Sequence, residues 1–205
     1  MKTIGIFGTP ISVKRDFINI GKDEKNIIED CSWSEMANKN YFTDDYKILE
    51  KLPNIKQKLE DVIKQYGKEI LGFKDNNELY ITNSWAVKTP TGGFHPAHNH
   101  PNSIMSGVLY INVGVELGNF EQGIIFEHEP QILNKFNFLF DKNDTNWNTS
   151  RFAVQVNSGD LVMFPSWLKH EVKENTTETT RLVIGFNTFI KGRFGENNYP
   201  TDLKL

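Results

Sequence analysis

The chain has 205 residues, with 23 Lys+Arg against 26 Asp+Glu and a formal net charge of −3 at pH 7. That length suits one domain of the usual roughly 100–200 residues, and 38% apolar with 12% aromatic residues excludes a disordered chain. The slight acidic balance carries no signal for nucleic acid or an anionic membrane, and the single cysteine, Cys31, excludes an internal disulfide framework.

In chain order, residues 1–7 form too short an apolar run for a secretion signal. Residues 5–8 lack the downstream glycine and lysine of a phosphate loop. No apolar run reaches the roughly 20 residues needed to span a bilayer, so a cytoplasmic location is expected. A short helix is expected within the polar residues 15–42. Over 44–72, Leu49, Leu52, Ile55, Leu59, Val62, Ile63, Tyr66 and Ile70 recur at helical spacing. Thr43 is the expected N-cap, Gly72 the stop, and Pro53 breaks the pattern into two helices.

From Leu79 the texture turns to β. Short β-branched and aromatic runs at 79–81, 106–113, 123–126, 152–156, 161–164 and 181–187 alternate with turn clusters such as Asn157-Ser158-Gly159-Asp160. The fold class expected is mainly β with N-terminal helices, a sandwich or barrel in one domain. Residues 1–78 would be its helical and irregular support, 79–190 its β core and 191–205 a C-terminal tail.

Three of the five histidines, His95, His98 and His100, fall within six positions. Along a strand, residues two apart share a face at roughly 6–7 Å, so His98 and His100 can converge on one metal. Alone, such a pair reads equally well as turn or surface histidines. A strand ending in Phe164-Pro165-Ser166-Trp167 then delivers His170, seventy residues beyond His100. A closed β architecture would bring these to one centre, and neutral imidazole suits Fe, Zn, Cu or Ni. His95 lies off that face and is read as a spare, and His128 beside Glu127 as a polar strand end. Phe164 and Trp167 are expected to pack the barrel mouth. Trp85 and Tyr80 could face either core or cleft.

The spacing Gly92…His98-x-His100 and Gly159…Pro165…His170 is similar to the two elements of the cupin superfamily. It departs from them in lacking a glutamate after His100 and in placing Trp167 where the second element has glycine. The chain resembles more closely the iron(II)- and 2-oxoglutarate-dependent oxygenases, which share a double-stranded β-helix (jelly-roll). The matching residues are His98-Asn99-His100-Pro101, Ser106-Gly107 with Tyr110, Gly159 through His170, Arg181, and Phe186-Asn187. They span roughly residues 79–190.

That resemblance implies Fe(II), 2-oxoglutarate and O2 as cofactors and co-substrates, and hydroxylation of a substrate with release of succinate and CO2. It makes His98, His100 and His170 the metal ligands, with His100 standing where most of the superfamily has an aspartate. It makes Arg181, eleven positions after His170, the partner of the distal carboxylate of 2-oxoglutarate, since a guanidinium binds a carboxylate through two parallel hydrogen bonds. Tyr110, Ser106 and Asn187 are the further co-substrate contacts it suggests. Two other classes fit the residues: a three-histidine cupin-type enzyme without 2-oxoglutarate, and a non-catalytic jelly-roll stabilised by a metal. The partners expected are a small-molecule co-substrate and a substrate that the residues do not identify (a peptidyl residue, a nucleobase or a metabolite), and the pattern leaves room for a homodimer.

Overall fold

The computed structural model describes residues 8–114, 123–128, 149–195 and 200–205. The short apolar run at 1–7, and most of the Gly5–Gly8 stretch, lie outside that set. The strands are β1 (Ser12–Lys14), β2 (Trp33–Glu35), β3 (Tyr41–Thr43), β4 (Asn77–Thr89), β5 (His95–His98) and β6 (Met105–Asn112). They continue with β7 (Ile124–Glu127), β8 (Arg151–Val154), β9 (Leu161–Pro165), β10 (His170–Val172), β11 (Arg181–Phe194) and β12 (Leu203–Lys204). Two helices, α1 (Lys22–Glu29) and α2 (Pro53–Glu69), precede the long strands.

Among the described residues the strands form two antiparallel sheets. The larger runs β1-β9-β6-β11-β4-β3-β2 with β12 beside β11, and the smaller runs β5-β10-β7-β8. This is a double-stranded β-helix, as the alternating runs lead one to expect. Its central strand is β11, paired with β4 on one side and β6 on the other. No helix among the described residues is long and apolar enough to cross a membrane.

Strand alternation divides the interior into two cores. Leu182, Ile184 and Phe186 of β11, with Leu109 of β6, pack in one cluster with Ile55, Leu59, Ile63 and Tyr66 of α2. Tyr110 of β6 faces the other way, toward Phe126, Val162, Phe164 and Leu168. Helix α2 therefore covers the outer face of the larger sheet because its apolar residues recur every three or four positions.

Two expectations change. The first 78 residues are not only helical support, since β1, β2 and β3 extend the larger sheet. Thr43 is no helix cap: it is buried in β3, where its hydroxyl accepts the Ala86 N–H at 3.0 Å and donates to the Asp45 carbonyl. Those short strands carry too few residues to show a period, which is why the sequence reads as irregular there. Pro53 does divide the pattern in two: it starts α2, after a 3-10 helix at Ile48–Lys51. Proline is tolerated there because the first helical N–H has no partner anyway.

Gly107 is required by close packing. A Cβ there would lie 2.3 Å from Cζ of the fully buried Phe186 ring. Gly107→Ala is expected to lower unfolding free energy by about 1–3 kcal/mol, as overpacked cores do. Urea denaturation measures it. Phe186→Leu should cost less in the Gly107→Ala background than in the parent, because the smaller side chain yields the contested space.

Candidate active site

The alternation that sends Leu182, Ile184 and Phe186 outward sends Arg181, Val183, Gly185 and Asn187 into a cavity of about 330 Å3 between the sheets. Across the register, Arg181 sits opposite Thr89, Val183 opposite Val87 and Gly185 opposite Trp85. Thr89, Val87 and Trp85 line the same cavity, and Tyr110 and Val108 of β6 complete this wall. The smaller sheet contributes His95, His98, His170, Val172 and Ile124. A Cβ on Gly185 would come within 2.9 Å of the Trp85 ring, so glycine makes room for the indole.

His98 ends β5 and pairs with His170 of β10, and both side chains point into the cavity. His100 lies beyond the strand rather than on it. Its backbone N–H donates to the Ser166 carbonyl at 2.9 Å, tying it to the turn that leads into His170. The ring centroids are 4.3 Å apart for His98–His170, 5.1 Å for His100–His170 and 5.2 Å for His98–His100. A donor nitrogen from each lies within 4.8 Å of the other two.

The second nitrogen of every ring is already engaged. Nδ1 of His98 meets the Pro96 carbonyl at 2.8 Å, and Nδ1 of His170 meets the Leu168 carbonyl at 3.0 Å. Nδ1 of His100 meets Asn187 Oδ1 at 2.6 Å. An oxygen acceptor requires Nδ1 to carry the proton, which leaves Nε2 as a bare lone pair on all three rings. His98 and His100 then turn these lone pairs toward each other at 3.2 Å, an arrangement that a shared cation resolves. The donor set fits a divalent metal.

Burial favours the neutral form of the His170 and His100 rings, the form a ligand must have. Desolvation lowers the His170 pKa to about 3 and the His95 pKa to about 4, and it also lowers that of His100. Phe164 lies beneath the triad, 4.6 Å from the His170 ring and fully buried. The expectation that Trp167 packs the barrel mouth fails, since it is 62% exposed. Tyr80 is exposed too, and Lys191 stands over its ring. His128 is exposed beyond β7.

His95, read as a spare, lines the cavity with its ring 4.7 Å from that of His98. It is 3 residues upstream of His98, and the irregular register between β5 and β10 turns it inward, which no alternation rule anticipates. Arg181 is buried and shares the cavity with Tyr110, whose phenol it influences electrostatically. Ser106 is not part of the cavity lining. It donates to Asn187 Oδ1 at 2.7 Å from behind. Asn187 does line the cavity, and the same oxygen holds His100. Phe42 and Thr89, both cavity-lining, carry no sequence signal beyond being in strands.

A double-stranded β-helix with three convergent histidines and a buried arginine defines a class of metal-dependent protein. The family model described as "Putative 2OG-Fe(II) oxygenase" matches residues 83–187, just over half of the chain. The chain belongs to that family, whose members use Fe(II), 2-oxoglutarate and O2. Searching the curated proteins gives no match.

Solved structures share the fold at low identity. A 2OG-Fe(II) oxygenase family oxidoreductase from Burkholderia pseudomallei is 12% identical, with a TM-score of 0.60 over 87% of this chain and 83% of that one. HygX from Streptomyces hygroscopicus, solved with nickel, 2-oxoglutarate and hygromycin B, is 13% identical, with a TM-score of 0.57 over 88% and 82%. A Pseudomonas putida prolyl-4-hydroxylase is 16% identical, with a TM-score of 0.54 over 88% and 94%.

Burial raises the Tyr110 phenol well above the ordinary tyrosine range, with Arg181 opposing the shift only in part. Above the unfolded value of about 10, the unfolded chain loses a proton that the folded chain retains. Stability therefore falls as pH rises through that range. In a spectrophotometric titration, the tyrosinate step missing from Tyr110→Phe should coincide with alkaline unfolding. A reversible step near pH 10 assignable to Tyr110 would contradict its burial.

Proposed function

We propose that the protein is a mononuclear Fe(II) dioxygenase that consumes 2-oxoglutarate and O2 and hydroxylates a bound substrate, with release of succinate and CO2. The observation that carries this reading is the convergence of three bare imidazole nitrogens and a buried arginine on one cavity. His98, His100 and His170 hold the metal, and the family's cofactor chemistry supplies the oxidant. The chain's own residues bind, orient and exclude water.

Arg181 holds the distal carboxylate of 2-oxoglutarate through its guanidinium fork. Tyr110, kept protonated by burial, donates its phenol hydrogen to the same group. Val87, Val108, Ile124 and Val183 give the cavity apolar walls that keep it dry, which strengthens every polar contact inside. Hydroxylation is the outcome favoured here, and a cytoplasmic site of action accords with a lone Cys31 thiol.

Metal content measured on identically purified protein is expected to fall in His98→Ala, His100→Ala and His170→Ala alike. Full metal stoichiometry in all three would overturn the triad. Anaerobic titration of the Fe(II) protein with 2-oxoglutarate should give a weak visible charge-transfer band. Truncating one partner of a desolvated charged pair costs on the order of 2–5 kcal/mol, and about 1.4 kcal/mol is tenfold. Arg181→Ala should therefore weaken 2-oxoglutarate binding roughly 30-fold or more while leaving metal content intact. Arg181→Lys should recover only part, because a lysine lacks the planar fork. A metallated parent that binds no 2-oxoglutarate would move the reading to a three-histidine enzyme of cupin type.

A further inference from the structure

Behind His100 runs a buried chain of hydroxyls that neither metal binding nor co-substrate binding uses. Asn187 Oδ1 accepts from His100 Nδ1 at 2.6 Å and from Ser106 Oγ at 2.7 Å. Ser106 Oγ lies 2.7 Å from Ser166 Oγ, which lies 2.7 Å from Ser103 Oγ. Ser106 and Ser166 are fully buried, so no solvent serves these groups.

Each hydroxyl has one proton to give. Ser103 Oγ donates to the Met105 carbonyl at 3.1 Å and the Thr188 carbonyl at 3.0 Å, and it accepts the Thr188 N–H at 3.3 Å. Ser166 Oγ donates to Ser103 Oγ, which commits its proton away from Ser106. Ser106 Oγ is the serine that donates to Asn187 Oδ1.

That donation matters because an asparagine amide presents either an oxygen or an N–H2 to its neighbours. Turned the other way, Asn187 would offer an N–H to His100 Nδ1. The ring proton would then have to sit on Nε2, removing the lone pair that a metal needs. A carboxylate in the position of Asn187 could not be reversed in this way. An amide can be, and so it needs a lock.

We propose that Ser106 is this lock: it acts through Asn187 as a positioning residue that fixes the tautomer of His100 and so makes it a metal ligand. The inference rests on the metal-centre reading above, which assigns His100 as a ligand. It concerns a device in this chain that lets a third imidazole serve where a carboxylate would need no such help.

The test combines a tautomer measurement with a mutant cycle. In metal-free protein labelled with 15N-histidine, ring-nitrogen shifts distinguish Nδ1–H from Nε2–H, and His100 is expected as the Nδ1–H form. Ser106→Ala should make that ring a mixture. Zn(II) affinity, read by competition with a chromophoric chelator, should fall about fivefold in Ser106→Ala, the order of one lost hydrogen bond. Asn187→Leu should lose about 10- to 100-fold, the usual cost of removing the partner behind a metal-bound histidine. Asn187→Asp should retain affinity, because a carboxylate only accepts. In that background Ser106→Ala should cost less than about twofold, since nothing is left to lock.

Equal losses from Ser106→Ala in both backgrounds would reduce the serine to packing and overturn the proposal. So would an unchanged His100 tautomer in Ser106→Ala. Ser106→Cys, whose thiol is only a weak donor, gives the same readings should Ser106→Ala fold poorly. A parent that binds no Zn(II) would instead sink the metal-centre reading, while the tautomer measurement still decides the role of Ser106.

Discussion

The two-residue period of one strand governs this molecule. In β11, Leu182, Ile184 and Phe186 pack under α2 while Arg181, Val183, Gly185 and Asn187 line the cavity. A slip of one residue would bury the arginine beneath the helix and put a phenylalanine beside the histidines. The slip is prevented on both flanks. Gly107 of β6 leaves the space that the Phe186 ring fills, and Gly185 leaves the space for Trp85 of β4. The outer core thus fixes the register, and the register presents the arginine, the glycine and the asparagine to one cavity.

The histidines depend on a second constraint, in the smaller sheet. His98 and His170 are cross-strand partners, so their rings approach through sheet pairing alone. His100 has left the strand and is carried instead by its backbone bond to Ser166 and its ring bond to Asn187. One of those anchors belongs to the turn after β9 and the other to the central strand of the larger sheet. The triad therefore joins both sheets, and the rings converge only when the sheets are closed.

Much of this was legible in the residues. The long β runs and the amphipathic helix follow from period, and the grouping of His98 and His100 with His170 follows from spacing, although His100 lies off the strand on which alternation would have placed it; Arg181 and Asn187 were singled out by the resemblance. The short strands β1 to β3 did not, because three residues cannot display an alternation and tertiary pairing decides them. His95 stands outside the ligand cluster, as a spare would, but its inward position was missed because the β5–β10 pairing is irregular and ideal alternation assumes that it is not. Ser106 was placed in the cavity on the strength of its motif. The structure sets it one step behind, touching Asn187. A residue acting through another leaves no pattern in a sequence that distinguishes it from a direct contact.

The absence of a carboxylate among the described cavity residues has an electrostatic consequence under the proposed function. Three neutral imidazoles and an asparagine supply no charge against a dication, and Arg181 adds another positive charge to the same cavity. At an effective dielectric near 20, like charges several ångströms apart repel by a few kcal/mol, so metal alone is held with less electrostatic help than a carboxylate would give. A dicarboxylate anion would supply the missing counter-charge, with Arg181 to receive one of its carboxylates. Metal and co-substrate each remove the repulsion that burdens the other, and by linkage each raises the affinity for the other by the same factor. Replacing a carboxylate by His100 thus shifts part of the charge balance from the protein to the co-substrate. The tautomer of that histidine is left to the neutral hydrogen bonds behind it.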